Sequence, residues 1–228
     1  MSASADEYDF QRSMKRVSSY PFLQRYLPAD RYLVRPPASL IVKAVFKTRV
    51  TPNQLTLCSF GFALVAGLAY AGGSVPFFVL GGCLALVSTI FDAADGMLAR
   101  AKSQTSRYGA YLDLFLDRIA DFAVMAGAAA GIFRHGRSYA FLVFSLVTIA
   151  LYFLQLALYY INVLYTRAEK NGEGAEAKSL AVVFIFLSSV AGHPELFLIG
   201  IFAMSFTGVF VKLVRFLQKG RAPEAAAR

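Results

Sequence analysis

A chain of 228 residues that is 57% hydrophobic and only 16% charged holds more apolar surface than an ordinary globular domain buries, which argues against a soluble enzyme and for one polytopic membrane domain. The formal net charge is +9, yet no soluble domain is present to orient that charge on a nucleic acid, so no nucleic-acid partner is expected. The two cysteines, Cys58 and Cys83, lie in separate apolar runs; they imply neither a metal cluster nor a disulfide framework and read as small buried side chains.

Residues 1–10 are polar and acidic and lack the basic start and short apolar stretch of a secretory signal, so no cleavage is expected. Residues 12–49 hold nine Lys or Arg against one acid, Asp30, and form a basic juxtamembrane arm. Within the arm Leu40, Ile41, Ala44 and Val45 can share one helix face while Lys43 and Lys47 turn away. That pattern predicts an amphipathic helix on anionic headgroups, begun by Pro36 and Pro37. Thr51, Pro52 and Asn53 open the first apolar run, 55–71, with Thr51 as the cap and Pro52 in the first turn.

Further runs over 75–100, 109–133, 139–165 and 196–216 each reach the ~20 residues that a spanning helix needs. A fifth segment, 180–191, is too short alone and is stopped by Gly192, His193 and Pro194, so it is extended back towards residue 175. Charge supports that extension. Lys and Arg number nine in the arm, three over 100–107, three over 167–178 and five from Lys212 onward, whereas the loops opposite hold only Arg134 and Arg137. An excess of cations marks the cytoplasmic side, so both termini belong there and His135 and His193 fall on the far side. The expected fold is an all-α integral membrane bundle of six transmembrane helices preceded by an N-terminal amphipathic interfacial helix. Its division is a cytoplasmic arm over 1–50, a membrane domain over 51–218 and a cytoplasmic tail over 219–228. Trp is absent, which leaves Tyr108, Tyr139 and Tyr165 as interfacial anchors.

Between the second and third runs, residues 91–121 concentrate ionisable groups where a membrane makes them expensive. Asp92 and Asp95 are three apart and Asp113 and Asp117 four apart, so on helices each pair shares one face. Two such faces turned together gather four carboxylates, whose mutual repulsion is relieved by a cation that accepts oxygen ligands. The expectation is a magnesium-type site for two ions, at the cytoplasmic end of the second and third spans. Gly96 and Ala99 keep the helix surface low beside the aspartates, and Arg100 offers a fixed guanidinium fork for phosphate or for the carboxylates. Arg118 is the one basic residue well inside an expected span; Asp121 or the carboxylate cluster lies within helical reach, and a phosphate on a substrate is the alternative partner.

The full spacing is D-x2-D-G-x2-A-R-x8-G-x3-D-x3-D, comprising Asp92, Asp95, Gly96, Ala99, Arg100, Gly109, Asp113 and Asp117. At every defined position it resembles the motif of the CDP-alcohol phosphotransferase family, and Thr51-Pro52-Asn53 looks like that family's entry to its first span. The resemblance implies a phospholipid-synthesis transferase in a cell membrane of bacterial or archaeal type. Metal ions, Mg2+ or Mn2+, held by Asp92, Asp95 and Asp113 would grip the diphosphate of a CDP-linked donor such as CDP-diacylglycerol. Asp117 would serve as general base or as a further metal ligand. Asp95, Gly96, Ala99, Arg100 and Gly109 would contact the nucleotide.

The acceptor would be a polar alcohol such as inositol phosphate or glycerol phosphate, with CMP as leaving group. Arg118, Arg167 and Lys170 are candidates for holding it, since Arg167-Ala168-Glu169 resembles a stretch in bacterial phosphatidylinositol-phosphate synthases where basic residues meet a phosphorylated acceptor. A homodimer surrounded by membrane lipids is also implied. Transfer from CDP-choline or CDP-ethanolamine to diacylglycerol is the alternative within the family; an ion-coupled transporter is the alternative outside it.

Overall fold

The computed structural model describes residues 30–166 and 173–219. The arm before residue 30, Arg167, Lys170 and the tail from residue 220 lie outside the described residues, as do the side chains of Tyr165 and Lys178. A π-helical turn, Asp30–Val34, runs into α1, Arg35–Val45. Six longer helices follow: α2 (Pro52–Ala71), α3 (Val75–Ala101), α4 (Arg107–Arg134), α5 (Tyr139–Thr166), α6 (Glu173–Val190) and α7 (Glu195–Lys219). They occupy the six apolar runs, and the described residues hold no strand. By length and composition α2, α3, α5 and α7 can cross a membrane. The other two carry more charge: Asp113, Asp117, Arg118 and Asp121 sit in α4, and Glu173, Glu176 and Lys178 open α6.

Helix boundaries follow local chemistry. Thr51 and Gln54 form a capping box at α2, the Thr51 amide donating to Gln54 Oε1 at 2.9 Å, with Pro52 at a position where a missing N–H costs nothing. Ser106 caps α4 by accepting the Gly109 amide at 2.9 Å. Helix α3 ends as Ser103 takes the left-handed region at φ 54° and the Gln104 amide returns to the Ala99 carbonyl at 2.8 Å. There Lys102 Nζ donates to the carbonyls of Thr48 and Val50, both at 2.9 Å, and ties the end of α3 to the segment entering α2.

The six helices close a ring in the order α4, α2, α3, α6, α7, α5 and back to α4. Helix α2 packs closely on both α3 and α4, which touch each other little. Its seam with α4 is made by absent side chains: a Cβ on Gly127 would collide with the Gly67 carbonyl, and one on Gly131 with the Tyr70 carbonyl. The main apolar core, with Tyr70, Phe78, Ile132 and Leu198 fully buried, lies toward the Arg134 end of the bundle. Tyr70 is satisfied there by Ser189 Oγ at 2.7 Å. A second, smaller core toward the opposite end joins Ala38 and Val42 of α1, Leu55 of α2 and Ala94, Met97 and Leu98 of α3. The motif residues lie beside this second core.

Where α1 meets α3, Ala38 and Val42 are buried, while Leu40 is 68% exposed on another face together with Ala44. One expectation is corrected. Cys58 and Cys83 are exposed on the helix surface, not buried, because they lie off the faces of α2 and α3 that pack against other helices.

Candidate active site

Asp92 sits on α3, about two and a half turns before its end, and Asp113 and Asp117 sit in the second and third turns of α4. Each offers a carboxylate oxygen, and the three oxygens lie within 4.8 Å of one another. The i, i+4 spacing puts Asp113 and Asp117 on one face, and α2, packed against both helices, holds that face toward Asp92. At such a distance each ionised pair repels by roughly 1 kcal/mol in water and about 3 kcal/mol at the effective dielectric of a protein site. An oxygen-only, anionic donor set of this kind fits Mg2+ or Mn2+ and not thiophilic ions.

Asp95 lies on the same helix as Asp92, one turn further on, and is not among those three. It is 6% exposed, and Thr56 of α2 donates to its Oδ2 at 2.5 Å. Arg100 folds back along α3, so that a Cβ on Gly96 would come within 3.2 Å of its Nη2. The bare backbone at Gly96 therefore accommodates the guanidinium of its own helix. Gly109, at the start of α4, sits against Ser106 Oγ and Asn53 Oδ1, each only 3.1 to 3.2 Å from where its Cβ would be. Ala99 is half-buried, and its carbonyl serves the end of α3.

Arg118 is engaged by carboxylates. Its Nη1 lies 2.9 Å from Asp121 Oδ2 and its Nη2 lies 3.5 Å from Asp117 Oδ2. Tyr152 of α5 donates to the same Asp121 oxygen at 2.7 Å and accepts from Arg118 Nη1 at 3.4 Å. One cation thus bridges two carboxylates a turn apart, and a third helix closes the network. At the far end of the bundle Arg137 pairs with Glu195, which His193 also approaches, while Arg134 and His135 hold the carbonyls of Ala71 and Gly73.

Sequence reasoning therefore named the carboxylates and Arg118, but missed Thr56, Lys102 and Tyr152. Thr56 had a signal, as a hydroxyl one turn after Pro52 inside an apolar run. Tyr152 had none, because aromatic residues are frequent throughout that run.

The CDP-alcohol phosphatidyltransferase model matches residues 49–216, which run from just before α2 to the last turn of α7 and include the whole motif. The chain belongs to the CDP-alcohol phosphatidyltransferase family. It is accordingly a transferase of phospholipid synthesis and an integral membrane protein. Among relatives of this phosphatidyltransferase, the archaetidylinositol phosphate synthase of Pyrococcus horikoshii is 31% identical over 163 residues, covering 69% of this chain and 78% of that one. The phosphatidylinositol phosphate synthase of Corynebacterium glutamicum is 28% identical over 204 residues, 84% and 89% of the two chains. The fold is shared with the phosphatidylinositol phosphate synthase of Mycobacterium tuberculosis. Its crystal structure with CDP-DAG bound has a TM-score of 0.61 at 21% identity, covering 85% of this chain and 98% of that one. Its complex with manganese and citrate has a TM-score of 0.62 at 20% identity, covering 84% and 92%.

Proposed function

We propose that this phosphatidyltransferase moves a phosphatidyl group from CDP-diacylglycerol to the hydroxyl of a polar alcohol, with inositol phosphate first among acceptors, and releases CMP. The observation that carries the reading is the meeting of Asp92, Asp113 and Asp117 across two helices within the family motif. Relatives named for phosphorylated inositol lipids, and the CDP-DAG complex of the M. tuberculosis enzyme, support the acceptor and the donor respectively.

In this reading Asp92, Asp95, Asp113 and Asp117 hold two divalent ions, Mg2+ or Mn2+. When bound, such ions neutralise the diphosphate oxygens and the charge that builds on CMP. Asp95, Gly96, Ala99, Arg100 and Gly109 bind and orient the nucleotide end of the donor. Asp117 takes the proton of the acceptor hydroxyl; that oxygen bonds to the phosphorus next to the diacylglycerol, and the bond from this phosphorus to the CMP oxygen breaks. Arg118, Arg167 and Lys170 hold the phosphate of the acceptor. Positioning of the two substrates supplies much of the remaining acceleration.

The site faces the cytoplasm, with six spans, both termini inside, an interfacial helix within an arm over 1–50, a catalytic membrane domain over 51–218, and two copies in a dimer. The cation excess on one side supports that orientation.

The experiment is Mg2+-dependent CMP release by purified protein given CDP-diacylglycerol and, one at a time, inositol phosphate, glycerol phosphate, inositol and serine. Release with inositol phosphate is expected, abolished in Asp117→Asn. Release with CDP-choline or CDP-ethanolamine and diacylglycerol in its place would move the lipid from donor to acceptor. No turnover of any CDP-linked donor would overturn the reading.

A further inference from the structure

Asp95 has a different environment from the other three motif carboxylates. It is buried, and it accepts a hydrogen bond from the hydroxyl of Thr56 of α2, which is itself 7% exposed. A threonine inside a helix ordinarily returns its hydroxyl proton to the carbonyl four residues back. Thr56 Oγ1 does lie 3.2 Å from the Pro52 carbonyl, but it lies 2.5 Å from Asp95 Oδ2. A hydroxyl carries one proton, and the shorter, charge-assisted bond takes it. Branching at Cβ restricts Thr56 to few rotamers, and its neighbour Leu55 is locked in the core between α1, α2 and α3. The bond therefore starts from a fixed point and crosses from the first long helix to the second.

We propose that Thr56 is the positioning residue for Asp95: its hydroxyl holds one carboxylate oxygen and so presents the other in a set orientation to the divalent cation and donor diphosphate. The inference rests on the reading of Asp95 as a ligand of that cation, and goes beyond it by bringing α2, which carries none of the motif aspartates, into the site. A carboxylate fixed beforehand loses little freedom when it ligates, whereas one free to rotate loses more. Outer-shell partners of metal ligands are typically worth about 10–100-fold in metal affinity for that reason.

The test measures Mn2+ affinity of the purified, detergent-solubilised full chain by electron paramagnetic resonance, without substrate, together with thermal unfolding. Thr56→Val keeps the shape and removes the hydroxyl; Thr56→Ser keeps the hydroxyl. The expected result is about a 10-fold weaker Mn2+ affinity in Thr56→Val and an affinity within about 2-fold of the parent in Thr56→Ser. In an Asp95→Asn background Thr56→Val should add no further loss, because the two act as one unit.

Unchanged affinity in Thr56→Val while Asp95→Asn loses it would overturn the positioning role and leave the cation reading intact. Parent-like affinity in Asp95→Asn would remove the cation role of Asp95, and the inference with it. Loss in Thr56→Val that is not restored by serine, or that adds to the loss from Asp95→Asn, would mean general distortion of the helix seam and would also overturn it. Should Thr56→Val fail to fold, Thr56→Ala read against Thr56→Ser decides the same question.

Discussion

Four aspartates of identical chemistry occupy three kinds of surroundings. Asp92 and Asp113 meet across α3 and α4, Asp117 joins them while also facing Arg118, and Asp95 is buried against Thr56. Substitution by asparagine removes charge and keeps shape, so it separates their duties. Asp117→Asn should lower kcat by about 10²–10⁴-fold, the usual worth of a general base, with CDP-donor affinity largely kept. Asp92→Asn and Asp95→Asn should instead weaken Mn2+ binding and, with it, donor binding. Isothermal titration with a CDP-linked donor checks this, and an equal loss in all three variants would undo the division of roles. Arg118 adds a constraint: with Asp121 and Asp117 already on its guanidinium, contact with an acceptor phosphate has to share that cation with two carboxylates.

At the scale of the element, α2 is the scaffold. It carries no ionised side chain, yet it packs on both α3 and α4 and so sets the distance between the helices that bear the aspartates. Its approach to α4 depends on Gly67, Gly127 and Gly131, where backbone meets backbone. Gly127→Ala places a methyl group against the Gly67 carbonyl, and neither backbone can swing away as a long side chain would. Overpacking of this kind costs about 1–3 kcal/mol or more, so thermal unfolding in detergent should move to a clearly lower temperature. Because the same seam spaces the carboxylates, Mn2+ affinity should fall with it. A Gly127→Ala protein as stable and as metal-competent as the parent would show that the seam has slack. Helix α1 is the other element tied to the site end, through its small core with α3 and through the Lys102 clamp on the carbonyls of Thr48 and Val50.

For the whole molecule, membership of the phosphatidyltransferase family leaves the transporter reading without support, and the remaining question is topology. Helix α4 carries Asp113 and Asp117 of the carboxylate cluster and is too charged to be counted as a span by composition alone. Its aspartates and Arg118 lie between residues 113 and 121, and residues 122–133 are apolar, with Met125, Ala128, Ala129 and Ile132 buried in the main core. In a Cys58→Ser, Cys83→Ser background, single cysteines at the exposed positions Gln104, Ser138 and Ala191 read the two faces of the bundle. A thiol reagent that cannot cross membranes should label Ser138→Cys and Ala191→Cys from outside intact cells, and Gln104→Cys only after permeabilisation. Labelling of Gln104→Cys and Ser138→Cys from one side would mean that α4 does not cross.

Much of this was legible in the residues alone, because helical periodicity and turn chemistry are local. Thr51 with Gln54, Pro52 and the run after them are enough to start α2, and spacings of three and four are enough to put each aspartate pair on one face, whatever lies around them. The placing of an apolar face is different, since several stripes of α1 are apolar and only contact with α3 chose Ala38 and Val42 over Leu40. The same holds for single polar atoms. That Asp95 meets Thr56 and that Tyr152 closes on Asp121 depend on residues 39 and 31 positions apart being brought within hydrogen-bond reach. Sequence by itself determined which charged groups each helix carries and which of them share a face; the packing of the helices against one another decided which oxygen faces which partner, because a hydrogen bond depends on distances that no local spacing sets.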